Sequence, residues 1–207
     1  MRTALAWTLL LLAGTVSAQT TNMYEDQGGR EAMATATAAL PTLSQLAAQL
    51  PQALGISREE AAAATLEPAL RVAHVPLDRL KNYRSSDDPR SLLVDVETTF
   101  VPVAVGGATR TSIVLQRRDS RWVATDFGQA DLAKQVTATR GTTAGAILVR
   151  VPALNLFFLA RTSGSGLTLT PITDVPGTEL RRGVAADAAA VLAALVPLAQ
   201  AHNGEPT

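Results

Sequence analysis

No cysteine occurs among the 207 residues, which excludes disulfides, thiol catalysis and a lipid anchor attached to a mature N-terminal cysteine. Histidine is almost as scarce: His74 and His202 stand far apart, without a His-x-x-x-His spacing, so no imidazole-built metal site and no metal cofactor are expected. Lysine is reduced to Lys81 and Lys134, every other basic residue being arginine, a usage that together with abundant alanine suggests a GC-rich bacterial genome. Charged residues make up only 17% and the formal net charge is +0, so no overall field draws the chain to nucleic acid. Neither Gly-x-Ser-x-Gly nor Ser-x-x-Lys is present. Ser163-Gly164-Ser165-Gly166 lacks the leading glycine of the first and reads as a hairpin tip.

The start of the chain carries an address. Arg2 precedes an apolar run from Ala4 to Ala13, and Val16-Ser17-Ala18 supplies the small residues that a signal peptidase reads. The run is about half of the ~20 residues that span a bilayer as a helix, so a cleaved signal over residues 1–18 is expected rather than a retained anchor. Cleavage between Ala18 and Gln19 would release a soluble periplasmic or secreted protein with no integral membrane segment. No Arg-Arg pair lies near the start, which points to export in the unfolded state and to no preloaded cofactor. A mature chain of roughly 190 residues buries about 70% of its unfolded surface and is stable without disulfides.

Periodicity sets out the rest. Gln19 to Gly29 is polar, ends in Gly28-Gly29 and reads as a flexible leader. Leucines at 40, 43, 46, 50 and 54 follow a helical spacing, with Pro41 expected to open a second helical segment and Pro51 with Gly55 to end it. Ser57 and Glu60 have the capping-box spacing of a short helix. Ala69 to Val75 has strand composition, Ser85 to Pro89 is turn chemistry, and Leu92 to Val105 is a long strand. Gly106-Gly107 and Asp119-Ser120 then turn it into Thr109 to Arg117 and Arg121 to Phe127, a three-stranded antiparallel meander. Gln129 to Thr139 is helical up to Gly141. Ala146 to Ala160 reads as one β segment bent at Pro152, followed by a hairpin to Leu167–Ile172. Asp174 to Gly183 is loop, and Ala185 to Val196 is an apolar helix kinked at Pro197.

These elements predict an α+β class: a meander and a second hairpin packed against N- and C-terminal helices, in one domain over residues 30–203 with a tail at 204–207. Val75-Pro76 and Val151-Pro152 each follow a short apolar strand, which raises a division into two similar halves, 30–127 and 128–203. In element order alone the chain resembles the small extracytoplasmic α+β folds of the cystatin-like group, in which a helix packs on a curved antiparallel sheet.

Candidate chemistry is sparse. Asp87-Asp88 sits in a turn-rich loop, and Asp95 and Glu97 alternate with Val94 and Val96, which places both acids on a solvated strand face. Arg117, Arg118 and Arg121 cluster at one hairpin tip and suit an acidic partner as well as solvent. Alternation sets Trp122, Ala124 and Asp126 opposite Arg121 and Val123, with Trp122 anchoring the sheet to a helix. Asn155 to Ala160 is the most apolar stretch after the leader: Leu156, Phe158 and Ala160 share one strand face, Phe157 and Leu159 the other. One face must meet the core, and the second is covered by a helix, a ligand or a partner. The candidate binding face therefore comprises Phe157, Leu159, Phe158 and Trp122. No catalytic, cofactor or metal residue is assigned. The expectation is an exported binding or accessory protein for a partner protein, peptide or apolar ligand, with a cell-envelope hydrolase or a structural subunit as the alternatives.

Overall fold

The computed structural model describes residues 19–141, 145–164 and 166–203, so the proposed signal, the centre of the Ser163–Gly166 tip and the tail lie outside it. The fold is α+β, built on one mostly antiparallel sheet in the order β5-β4-β3-β2-β6-β7-β8-β9. Two meanders meet at its centre. The first is β2 (Leu70–His74), β3 (Val94–Val105), β4 (Ala108–Arg118) and β5 (Arg121–Gly128). The second is β6 (Ile147–Val151), β7 (Leu156–Ser163), β8 (Gly166–Pro171) and the short β9 (Ala186–Asp187). They join through the parallel pair β2–β6, in the register Val72 to Leu148, Ala73 to Val149 and His74 to Arg150. Val75-Pro76 and Val151-Pro152 therefore leave the sheet side by side, each into a short helical turn: α4 (Leu77–Lys81) and a 3-10 turn (Pro152–Leu154). A further two-residue strand, β1 (Thr65–Leu66), pairs with β3.

Where the sequence suggested a loose leader and a break at Pro41, a single helix, α1, runs over Gln19–Gln49. Pro41 forfeits one backbone bond, worth about 3 kcal/mol in a helix interior. The loss is offset by the alanine-rich surroundings and by the stripe Ala32, Ala36, Ala39, Leu43 and Ala47, which is buried against the sheet. The break falls at Leu50 instead, and Pro51 opens α2 (Pro51–Leu54), capped by left-handed Gly55. A Cβ at Gly55 would lie 2.8 Å from Ala130 Cβ, so glycine answers both the positive φ and the close approach. The capping box forms as expected, Ser57 and Glu60 exchanging bonds at the start of α3 (Arg58–Ala62).

The stretch 146–160 is two antiparallel strands rather than one bent strand. Pro152 begins the 3-10 turn and Asn155, with φ 50°, completes the reversal. Asparagine tolerates that left-handed conformation better than most residues, which is the turn signal the apolar composition hid. The last helix, α6, spans Ala188–Ala201, opened by the Asp187 side chain accepting from Ala189 and Ala190 N–H, and it continues through Pro197.

The two sheet faces are roofed differently. Directly paired residues share a face, so the register puts Ala73, Val101, Val103, Ile113, Val149 and Phe158 on one side and Leu70, Val72, Phe100, Leu148 and Leu159 on the other. On the first side α1 packs over β3–β5 and α6 over β6–β8, each above its own apolar cluster. On the second side α5 (Ala130–Arg140) alone contributes Ala133 and Val136 to the cluster of Leu70, Val72, Phe100, Leu148, Leu159 and Ile172.

Candidate binding site at the open end of the α5 face

The helix α5 has 11 residues, hence a length of about 16 Å. It starts beside the C-terminal end of β5 and its last turn is tied to the segment before β2, so it crosses the sheet at one end only. A buried polar network makes that tie. Glu67 accepts from the hydroxyls of Thr109 and Thr137 and from Arg140 Nη2, the last two at 2.9 and 3.2 Å. Arg140 Nη1 donates to Pro68 O at 2.6 Å, and Arg161 Nη2 donates to Arg140 O at 2.5 Å. Both charges of the Glu67–Arg140 pair are largely withdrawn from water. With both carboxylate oxygens occupied, this constellation fixes the helix and offers no lone acid for proton transfer. Sequence pattern could not have found it, since its members are drawn from positions 67, 109, 137, 140 and 161.

Beyond α5 the face is more open: Arg118, Arg121 and Arg150 are exposed and His74 and Phe157 half-buried, while Ile172, whose N–H donates to Phe157 O, is buried. The register lines up two rows across it. The row nearest the helix holds Gln116, Thr98, Val72, Leu148 and Leu159 in neighbouring strands. Farther out on the same face lie the pair Arg118 and Arg121 on β4 and β5 and, beyond the β3 bulge, the paired set His74, Arg150 and Phe157 on β2, β6 and β7, which together make the outer row. On β3 the partner of His74 is Val94, while Val96 and Glu97, the latter with φ 49°, are the unpaired residues of the bulge against β2. The Arg150 guanidinium lies 5.4 Å from the centroid of the Phe157 ring, within cation–π range. Val96, Val114, Leu132 and Phe157 are the partly buried margin of the α5 cluster. Burial first, and the Arg150 charge second, hold the His74 pKa below its ordinary value of 6.5.

The four residues expected to form a binding face part company here. Phe158, 1% exposed, is core beneath α6, and Leu159, 0% exposed, is core beneath α5. Trp122 is partly buried in the α1 cluster, with its indole N–H lacking a partner. Phe157 alone of the four reaches the open row. The alternation through Asp126 fails for a local reason: a bulge between Leu115 and Val114 pairs Leu115 with Ala124 but Val114 with Asp126, so Thr125 is extra and Asp126 shifts to the α5 face. Val123, 42% exposed, lies on that same face opposite Gln116.

The suspected carboxylate pairs serve local structure. Asp87 accepts from Arg84 N–H and Asp88 from Arg90 N–H, at 3.0 and 2.9 Å, while Asp95 accepts from Glu97 N–H and pairs with Arg71. Beside that loop Tyr83 donates to Asp87 O, and burial together with Asp87, Asp187 and Asp88 pushes its phenol above the usual range. Among the described residues no group of three or more His, Asp or Glu side chains could hold a metal ion, and no helix is long and apolar enough to cross a membrane. No protein family, curated protein or solved structure matches this chain.

Proposed function

We propose that the protein is exported and works by binding a partner protein or peptide, with the open end of the α5 face as its contact surface. Export rests on the basic start, apolar run and small-residue boundary at Val16-Ser17-Ala18. The observation that carries the binding surface is the Arg150–Phe157 stack at 5.4 Å, set on a sheet face that α5 leaves uncovered. Arginine and aromatic side chains together are the residue types that dominate protein contact energies. Catalysis is the weaker reading because the acids singled out by sequence are each engaged in a turn, a bulge or an ion pair.

Native mass spectrometry on protein purified from the extracytoplasmic fraction of its producing cells tests this. A bound polypeptide should be retained by the wild type and lost from Phe157→Ser at unchanged fold. Recovery of the chain free of any partner, or of a partner that Phe157→Ser still holds, would overturn the assignment of the surface.

A further inference from the structure

The open part of the α5 face gathers exposed arginines, with Asp119 in the turn between two of them. Arg121 and Arg118 lie on the same sheet face as His74 and Arg150, on the other side of the β3 bulge, although the chain as a whole has a formal net charge of +0. Arg118 bonds only to Gln116 Oε1, a neutral acceptor, through Nε and Nη2 at 3.3 and 3.2 Å. Neither Arg121 nor Arg150 has an acidic partner among the described residues. Asp126, which the bulge brings to this face, is already committed at both oxygens, to Phe127 N–H and to Gln129 Nε2. Arg71, Arg90, Arg110 and Arg140 elsewhere each have a carboxylate, while Arg58, Arg79, Arg84 and Arg181 among the described residues, like the arginines of this row, have no ion pair.

We infer that this row is the docking site of an acidic, extended segment of a partner protein, lying across the strands alongside α5. The inference rests on the binding function proposed above and specifies its partner. Adjacent strands are about 4.8 Å apart, so the row from β5 to β7 is roughly 24 Å long, the reach of about seven residues of extended chain. Such a chain is narrow enough to lie in the step beside the helix. A packed helix axis stands about 10 Å above its sheet, so α5 would hold a flat anionic bilayer away from the arginines while leaving room for a single strand-like segment. Carboxylates of the segment would meet Arg118, Arg121 and Arg150, and an apolar residue of it would meet Phe157 beyond Arg150. Charge-assisted bonds to guanidinium give both affinity and register in such a contact.

The test uses the purified full chain and two fluorescein-labelled, end-blocked octapeptides, one alternating glutamate with alanine and one alternating lysine with alanine, at about 50 mM salt where screening is modest. Fluorescence anisotropy should show binding of the glutamate peptide and none of the lysine peptide. The double variant Arg118→Gln, Arg150→Gln should weaken the first tenfold or more, with an unchanged circular dichroism spectrum. Amide shifts on the wild type should move at Thr98, His74 and Arg150 when the glutamate peptide is added, a readout that stands even if the double variant folds poorly. Equal binding of both peptides, no binding up to about 1 mM protein, or shifts confined elsewhere would overturn the inference. So would phosphatidylglycerol vesicles bound through the same arginines while the peptide is ignored. If a cellular partner is recovered and depends on Phe157 yet the glutamate peptide fails, the acidic segment falls and the binding function stands.

Discussion

One face of the sheet is roofed across both meanders, by α1 over the first and α6 over the second, while the other carries α5 alone. The difference is one of helix number and direction. The two meanders have a common plan around the parallel β2–β6 pair, each closing with a helix, α5 after β5 and α6 after β9, on opposite faces. The N-terminal helix α1 has no counterpart, and it completes the cover of one face only. What remains uncovered is therefore set by the placement of α5, whose cluster buries Leu148 and Leu159 while Arg150, farther along the strands, is exposed. The residues there, Arg150 and Phe157 among them, have the mixed character of a surface that meets water as well as something else.

Two neighbours on β7 break this comparison most directly. Phe158→Ser removes a large side chain from the core under α6 and places a hydroxyl there, and a loss of about 3–5 kcal/mol or outright unfolding is expected in a denaturant titration. Phe157→Ser, one residue away on the open row, should cost well under half of that. Equal losses would mean that both faces are core and that no open row exists.

The next largest effect concerns what holds α5 in place. Arg140→Met would leave the Glu67 carboxylate nearly buried without its cation, and breaking such a pair from one side costs about 3 kcal/mol. The double variant Glu67→Gln, Arg140→Met should recover part of this by removing the buried charge. If the single variant is as stable as the wild type in urea, α5 is held by its apolar contacts alone and the polar tie is incidental. Trp122→Ala tests the opposite roof and should cost less, about 2 kcal/mol, because the indole is only partly buried and its N–H already lacks a partner.

Local signals make the first meander legible in the amino-acid sequence itself. Gly106-Gly107 and Asp119-Ser120 all have positive φ, as two-residue hairpin turns of this kind require, and the β-branched residues Thr109, Thr111, Ile113 and Val114 between them favour a strand. Ser57 with Glu60 and Gly141 after α5 are equally plain. Legibility fails wherever the deciding contact is distant. Pro41 resembles a helix start until α1 is seen packed along its length, and Asp126 follows simple alternation until Thr125 is found as the extra residue of a bulge. The parallel β2–β6 pair joins residues 72 and 148, and nothing near either announces the other beyond the repeated Val-Pro. For the proposed site, the apolar stretch Asn155–Ala160 points to the strand that carries Phe157. Only the placement of α5 and α6 separates Phe157 from Phe158 and Leu159, and only the register puts Arg118 and Arg150 on one face.

The smallest expected effect sharpens the electrostatic side of the comparison. His74 is half-buried beside Arg150, and both burial and that charge disfavour its protonated form, so its folded pKa lies below the 6.5 it has in the unfolded chain. The folded state then binds fewer protons than the unfolded state in this window. Stability from this site is therefore intact above pH 6.5 and declines as the pH falls from there through the folded value. Replacing the imidazole by a neutral group removes that dependence: His74→Gln should have a shallower fall in melting temperature between about pH 7 and pH 5 than the wild type, while the two coincide in slope above pH 7. A steeper fall in His74→Gln would mean that the imidazolium is stabilised in the fold, with an acidic group facing it in place of the Arg150 guanidinium.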